Sequence, residues 1–73
     1  MSLFYTDHAN DRMKERNISE QEVEECLEKY QTSYPDNNDD DCFNYVYESP
    51  SGRRIRVVAK EKGKHKLIIS AMD

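Results

Sequence analysis

The sequence is poor in the residues that build membrane spans, disulfides and large cores. Its 73 residues include two cysteines, two glycines, two prolines and no tryptophan; hydrophobic residues make up 36%, and the mean hydropathy is -1.07. No apolar run is long enough to cross a membrane and no signal peptide opens the chain, so we expect a cytoplasmic protein without membrane contact. Residues 1–73 suffice for a single small domain. So small a core also favours a homodimer, because an interface would bury further apolar surface.

Cysteine and histidine are too few and too scattered to predict a metal centre. Cys26 and Cys42 have no metal-ligand spacing, and two cysteines without a secretion signal are weak grounds for a disulfide. Cys26 falls on the apolar side of a predicted helix, which favours a buried, reduced thiol. The chain also has no phosphate loop, dinucleotide fingerprint, histidine cluster or nucleophile elbow. We therefore expect no metal and no cofactor.

Acidic and basic residues are segregated along the chain, although the net charge is only -4. Residues 1–17 balance, with three acids and three bases. Residues 18–41 hold nine acids and one lysine, whereas residues 42–73 hold seven bases and three acids. The overall acidity disfavours strong non-specific binding of nucleic acid, but the basic C-terminal half leaves room for a polyanionic partner.

The first predicted helix is defined by its ends. Thr6 or Asp7 is suited to cap a helix that runs to about Arg16, and Asn17 ends it. The segment Met1-Ser2-Leu3 has the character of a vector-derived leader and supports no prediction.

The second predicted helix is the best-specified element of the chain. Ser19 is its N-cap and Glu22 completes a capping box, while Ile18 and Val23 form a hydrophobic staple around that start. Its apolar residues recur at helical spacing, as Val23, Cys26, Leu27 and Tyr30. The short connection makes the two helices a tight pair.

Strand patterns follow the helices. Residues 31–34 are predicted as a short strand that ends at Pro35, and residues 36–41 as a polar loop. Alternation of apolar and polar residues then predicts strands at 42–48, 53–60 and 65–71. The predicted fold is α+β, with two N-terminal helices packed on one face of a three- to four-stranded antiparallel sheet.

Two turns set the predicted register. Residues 49–52 (Ser-Pro-Ser-Gly) and 61–63 (Glu-Lys-Gly) each suit a three-residue loop with glycine in the left-handed position. Both loops pair odd residues with odd residues, which gathers one apolar face for the helices to cover. That face holds Phe43, Tyr45, Tyr47, Ile55, Val57, Ala59, Leu67, Ile69 and Ala71. The opposite face holds Asn44, Val46, Glu48, Arg54, Arg56, Val58, Lys66, Ile68, Ser70 and Met72. In this register Val46 and Ile68 flank Arg56.

The first helix carries one candidate site. His8, Arg12 and Arg16 follow one another at four-residue steps and therefore share one side of the helix. In a functional interpretation His8 transfers protons and the arginines bind phosphate. In a structural interpretation His8 is a boundary residue, and the arginines pair with Asp or Glu. The spacing alone leaves both interpretations open.

The middle strand carries the other candidate site. Arg54 and Arg56 share the face opposite the helices, and Arg54 is expected between Glu48 and Ser70. The two arginines are suited to bind a phosphate bidentately with the Ser70 hydroxyl alongside. They equally suit a solvated face on which Glu48 neutralises Arg54. The apolar residues among them indicate that a dimer mate, a partner or a ligand covers part of this face.

Several short motifs are spread over nearly the whole chain. They are His8-Ala9, Arg12-Met13, Arg16, Ile18-Ser19, Glu22-Val23, Tyr34-Pro35, Arg54-Ile55-Arg56-Val57-Val58 and Ile69-Ser70. With these motifs the chain resembles a family of small bacterial proteins, the domain of unknown function 4258. That family is similar in fold to RelE-like and barnase-like ribonucleases, which need no metal and many of which are toxins.

The resemblance implies a helical pair on an antiparallel sheet, with a site at His8, Arg12, Arg54, Arg56 and Ser70. In such an enzyme His8 shuttles protons, the arginines stabilise the phosphorane and Ser70 orients a phosphate oxygen. RNA or the ribosome is then the expected ligand, and an antitoxin-like protein the expected partner.

Two functions of different classes fit the sequence. The first is a metal-independent endoribonuclease, which requires His8 within reach of Arg54 or Arg56 in one cleft. The second is a non-catalytic protein-interaction module, either a homodimer or a partner-binding protein, on the same fold. It requires the arginine-bearing face of the sheet to be covered by protein.

Overall fold

A computed structural model describes residues 2–37 and 41–73, so residues 38–40 of the predicted polar loop lie outside the described chain. The elements, in chain order, are β1 Ser2–Tyr5, α1 Asp7–Arg16, α2 Glu20–Lys29, β2 Thr32–Pro35, β3 Cys42–Glu48, β4 Arg54–Lys62 and β5 His65–Met72. The fold is α+β, with a five-stranded mixed sheet in the order β1-β5-β4-β3-β2. Within the described residues, no helix is long and apolar enough to span a membrane.

Both helices begin at the predicted caps, and α1 ends at the predicted Asn17. The Thr6 side chain accepts a hydrogen bond from the Ala9 amide at 3.0 Å, and Asn17 ends α1 in the left-handed region at φ 57°. The Glu22 amide donates to Ser19 Oγ at 3.1 Å, and the Ser19 amide donates to Glu22 Oε1 at 3.0 Å. These reciprocal bonds confirm the capping box.

The predicted antiparallel sheet of three to four strands is wrong at one edge, where β1 pairs in parallel with β5. The backbone amide of Thr6 continues this pairing by donating to the Ile68 carbonyl oxygen at 3.1 Å. β1 is a four-residue strand that passes directly into a helix cap. Such a strand has neither a turn signal nor enough alternation to be recognised from sequence.

A single hydrophobic cluster joins both helices to one face of the sheet. Its buried members are Ala9, Met13, Ile18, Val23, Cys26, Leu27, Tyr45, Tyr47, Ile55, Val57, Ala59, Ile68 and Ala71. α1 packs against β5, and α2 packs against β3 and β4. Cys26 is a fully buried free thiol, as predicted. Tyr30, from the predicted apolar stripe of the second helix, and Phe43, from the predicted apolar face of the sheet, are both exposed. Tyr30 is the C-cap of α2, and Phe43 is the second residue of β3.

The first hairpin turn has the predicted three-residue loop. The Ser49 amide donates to the Arg53 carbonyl at 2.8 Å, which leaves residues 50–52 as the loop. Gly52 takes the left-handed position at φ 91°. The β3–β4 register follows as predicted, with Glu48 opposite Arg54.

The second hairpin turn differs from the prediction. Lys62 pairs with His65, so the loop has two residues and Gly63 adopts φ 63°. A two-residue loop alone would turn Ala71 away from the core. The register shifts by one residue between Ile68 and Ser70, and this bulge returns Ala71 to the buried face.

Ile69 is the extra residue of the bulge, and it reverses the predicted alternation of β5. Ile68 lies opposite Ala59 and is completely buried, whereas Leu67 and Ile69 are only partly buried. The prediction that Leu67 and Ile69 lie in the core, and Ile68 on the opposite face, is therefore wrong.

Arg53 ties both helices to the end of the chain. Its guanidinium donates to the carbonyl oxygens of Arg16 and Asn17 at 2.6 and 3.1 Å. It also forms ion pairs with Glu22 and Asp73, each at 3.1 Å. None of these partners lies in β4, which begins at the next residue, so the side chain works as a structural clamp between separate segments.

We expect the Arg53→Gln variant to unfold more easily. It loses charge-assisted bonds to four groups on three segments, which we expect to cost about 1–3 kcal/mol of the free energy of unfolding. Chemical denaturation followed by circular dichroism measures this loss. Arg54→Gln is the matched control, because Arg54 is exposed and faces the other side of the sheet. Equal stability of the two variants would contradict the clamp.

Candidate anion-binding face

The face of the sheet away from the helices carries the candidate site. We call it the open face and define it by the side chains on that side of β3, β4 and β5: Asn44, Val46, Glu48, Arg54, Arg56, Val58, Ser70 and Met72. Side chains alternate along a strand, so these residues point away from the buried cluster on the other side. Two rows of neighbours cross the strands: Val46–Arg56–Met72 and Asn44–Val58–Ser70.

A shallow groove of about 330 Å³ crosses the open face. Its lining residues are Tyr34, Val46, Arg54, Arg56, Met72 and Asp73. Val46 and Met72 are partly buried, whereas both arginines are exposed. The groove therefore combines an apolar floor with two cationic groups and the carboxylate of Asp73, which is paired with Arg53.

Arg54 and Arg56 remain available to a ligand. Neither forms an ion pair with a carboxylate in the described ranges 2–37 and 41–73; Arg56 instead donates to the Met72 sulfur. They are two residues apart on one strand, so their side chains leave the sheet about 7 Å apart on the same side. Neighbouring Arg53 contrasts with them, because all of its bonds are to the protein itself.

Ser70 is on the open face but not beside Arg54. It lies opposite Val58 and is 7% exposed, whereas Met72 lies opposite Arg56. The predicted position of Ser70 next to Arg54 is therefore wrong, and so is the prediction that Ile68 flanks Arg56. The two-residue turn and the bulge account for this displacement. Ser70 is now a diagonal neighbour of Arg56, within the reach of a long side chain.

His8 and Arg12 belong to the helix layer. Both are exposed on α1, while Ala9 and Met13 of the same helix enter the core. Arg12 Nη1 lies 3.6 Å from Glu15 Oε2. Neither His8 nor Arg12 lines the groove of the open face.

One contact nevertheless brings the start of α1 towards Ser70. Thr6 Oγ1 donates to the carbonyl oxygens of Ile68 and Ile69 at 3.1 and 3.2 Å. His8 lies two residues after Thr6, and Ser70 follows Ile69 on β5. Arg54, Arg56 and Ser70 share one sheet face, whereas His8 lies on α1, two residues after this contact.

Two residues of the groove, Tyr34 and Asp73, were not predicted from the sequence as site residues. Tyr34, on edge strand β2, pairs with Asn44 and is 40% exposed. The Tyr-Pro pair was visible in the sequence, but its position beside the groove depends on the pairing of β2 with β3. Asp73 follows β5 directly and lines the groove beside Met72, while its carboxylate pairs with Arg53.

The buried titratable groups are unsuited to chemistry at neutral pH. Burial raises the pKa of the Cys26 thiol to about 11, and its sulfur lies 3.5 Å from the Tyr45 carbonyl oxygen. Burial, together with nearby Glu20 and Glu24, raises the pKa of Tyr5 to about 12. Neither group ionises near neutral pH, so neither is a nucleophile or general base there. In the described part of the chain, no three His, Cys, Asp or Glu side chains are grouped to hold a metal ion.

A larger hollow of about 480 Å³ lies between β1 and α2 and has the opposite charge. It is lined by Leu3, Gln21, Glu24, Glu25, Leu27, Glu28 and Lys29. Three carboxylates repel an anionic ligand, so this hollow does not compete with the groove of the open face for phosphate.

The molecule is thus a small α+β protein with one sheet face covered by helices and the other bearing two exposed arginines that form no ion pair with any carboxylate of the described residues. A family model described as domain of unknown function (DUF4258) matches residues 5–73, and the chain belongs to that family. Searches of curated proteins and of solved structures gave no match.

Proposed function

We propose that this protein binds RNA on the open face of its sheet. The observation that carries the proposal is the pair Arg54 and Arg56, exposed in one groove without carboxylate partners among the described residues. Guanidinium groups bind phosphate oxygens through paired charge-assisted hydrogen bonds. Open sheet faces that combine cationic and aromatic side chains are a recurrent way of binding RNA.

The segregation of charge supports this proposal despite the net charge of -4. α2 packs on the covered face, and its exposed acidic residues are Glu20, Glu24 and Glu28. Those carboxylates are separated from the groove by the thickness of the sheet. Charges on opposite sides are partly screened at physiological ionic strength, where the Debye length is about 8 Å. The net charge of the whole chain therefore overstates the repulsion that a phosphate would meet at Arg54 and Arg56.

A protein partner is the competing occupant of this face. Partly buried Val46, Val58 and Met72 would suit a second copy of the chain or an acidic antitoxin-like protein. We favour RNA because the groove is shallow and both arginines are exposed, so that phosphates would reach them without burying the whole face. The experiment below separates the two.

Titration of a fluorescent RNA oligonucleotide at several salt concentrations tests the proposal. We expect binding whose logarithmic affinity falls linearly with the logarithm of salt concentration, with a slope of about -0.7 for each phosphate contacted. Absence of binding at low salt would overturn RNA as the ligand. A dimer that forms in sedimentation and excludes the RNA would assign the face to protein.

RNA cleavage is a second candidate function, supported by the nearness of the start of α1 to Ser70. In this reaction a base removes the proton of the RNA 2′-hydroxyl, and the 2′-oxygen attacks the adjacent phosphorus. The 5′-oxygen leaves with a proton, giving a 2′,3′-cyclic phosphate and a 5′-hydroxyl. His8 would transfer these protons, Arg12, Arg54 and Arg56 would neutralise the phosphorane, and Ser70 would orient an oxygen.

The cleavage candidate predicts that His8→Ala abolishes most activity but preserves binding. A proton-transferring side chain typically contributes about 10²–10⁴-fold to a rate, so the loss should be easily measured. The assay follows cyclic-phosphate ends on naked RNA in the presence of EDTA and, separately, on ribosomes in buffer with Mg²⁺. His65→Ala is the matched control, because His65 is also exposed but packs against Phe4 at the other end of β5. Cleavage that survives His8→Ala would exclude His8 as the proton shuttle.

A further inference from the structure

We infer that the RNA bound in the groove is single-stranded, with one unpaired base stacked on Tyr34 and neighbouring phosphates on Arg54 and Arg56. This inference rests on the proposed RNA binding. It adds that the bound RNA is single-stranded and that Tyr34 is the residue that selects single strands. It stands on the placement of Tyr34 within the groove that the two arginines line.

Tyr34 differs from the other tyrosines of the chain. Tyr45 and Tyr47 are buried, and the Tyr47 hydroxyl donates to Glu25 at 2.8 Å. Tyr30 packs edge-to-face on Tyr45, with ring centroids 5.0 Å apart. Tyr34 is 40% exposed and lines the groove, so one side of its ring is open to a ligand.

The backbone under Tyr34 is held at both ends of β2. The Gln31 amide donates to the Val46 carbonyl at 2.8 Å, and the Asp36 amide donates to the Cys42 carbonyl at 2.9 Å. This pairing holds the backbone at Tyr34 in place before a ligand arrives. A backbone that is already ordered loses little further conformational entropy when a base stacks on the attached ring.

The arginines set the path of the backbone relative to that ring. Their attachment points lie about 7 Å apart along β4, a spacing similar to that of neighbouring phosphates along one nucleic-acid strand. Tyr34 lies on edge strand β2 opposite Asn44, so it belongs to the row next to Val46–Arg56–Met72. A strand whose phosphates meet the arginines therefore has room to turn a base over the apolar side chains towards Tyr34.

A duplex does not meet these requirements. Its bases are paired and stacked on one another, so none is free to lie on a protein ring, whereas single strands splay their bases onto aromatic side chains. Stacking is also tolerant of base identity, because every base presents a flat face. We therefore expect preference for single strands with little sequence preference from Tyr34 itself.

Substitution of Tyr34 tests the inference on the full chain. We expect Tyr34→Leu to weaken binding of a single-stranded oligonucleotide by about tenfold to a hundredfold, because it removes one base stack. Tyr34→Phe keeps the ring and should bind like the parent protein. Tyr30→Leu is the control for loss of an exposed tyrosine outside the groove.

Three RNA probes complete the test: a single strand, the matching duplex, and an abasic ribose-phosphate strand of the same length. The duplex and the abasic strand should bind weakly, and Tyr34→Leu should not weaken abasic binding further. Unchanged affinity of Tyr34→Leu, loss of affinity in Tyr34→Phe, or equal affinity for duplex would each overturn the stacking inference. If variants of Arg54 and Arg56 still lose RNA binding in that case, the proposal that the open face binds RNA is retained and only base stacking on Tyr34 is excluded.

Discussion

We expect the Ile68→Ala variant to lose about 2–5 kcal/mol of its free energy of unfolding. Ile68 is completely buried among the residues of the core cluster, so truncation removes apolar burial and leaves a cavity. Small domains have total stabilities at the low end of about 5–15 kcal/mol, so this variant should be substantially unfolded. Urea denaturation followed by circular dichroism measures the loss.

Ile69→Ala provides the matched control on the same strand. Ile69 is only partly buried, so the same truncation should cost less than half as much. The comparison reports which isoleucine faces the helices. A larger cost at Ile69 would contradict the bulge and would restore the regular alternation that the sequence predicts for β5.

The elements predicted correctly are those in which neighbouring residues decide the structure. Ser19 and Glu22 form a capping box within one helical turn, and Gly52 closes a loop whose register propagates along β3 and β4. In each case the hydrogen-bond partners lie only a few residues apart. Propensity and turn chemistry are therefore sufficient to predict them.

The elements predicted wrongly depend on distant contacts. β1 is a strand because it pairs with β5, where Tyr5 lies opposite Ile68. That pairing cannot be predicted from the residues of β1 alone. At the second turn, regular alternation favoured a three-residue loop. The protein instead uses a two-residue loop and corrects the alternation at Ile69. The bulge leaves no local signal, because the bulged Ile69 and the preceding Ile68 are the same residue type and either could have faced the core.

The candidate site was predicted in the same uneven way. Arg54 and Arg56 share the open face because side chains alternate within one strand, and the sequence was enough for that. Ser70 was predicted on the correct face but beside the wrong arginine, since its row depends on the turn and the bulge. Tyr34 required the pairing of β2 with β3, which joins it to the groove from an edge strand.

We expect the double variant Arg54→Gln/Arg56→Gln to bind RNA on the order of a hundredfold more weakly than the parent protein. Each arginine supplies a charge-assisted hydrogen bond to phosphate that glutamine replaces with a weaker neutral one. The salt dependence should also change, because two fewer phosphates are neutralised and the logarithmic slope falls by about 1.4. Fluorescence anisotropy at several salt concentrations measures both quantities.

Lys14→Gln is the matched control for this prediction. Lys14 is also an exposed cation, but it lies in the last turn of α1 and does not line the groove, so its loss changes the net charge by one without touching the groove. If binding depended only on net charge, Lys14→Gln would weaken it about as much as either single groove variant, and the salt slopes would fall alike. A selective effect of Arg54 and Arg56 would require contacts in the groove. Both groove residues are exposed, so their replacement leaves the core intact, and unchanged unfolding curves would assign the lost affinity to the missing phosphate contacts rather than to a damaged fold.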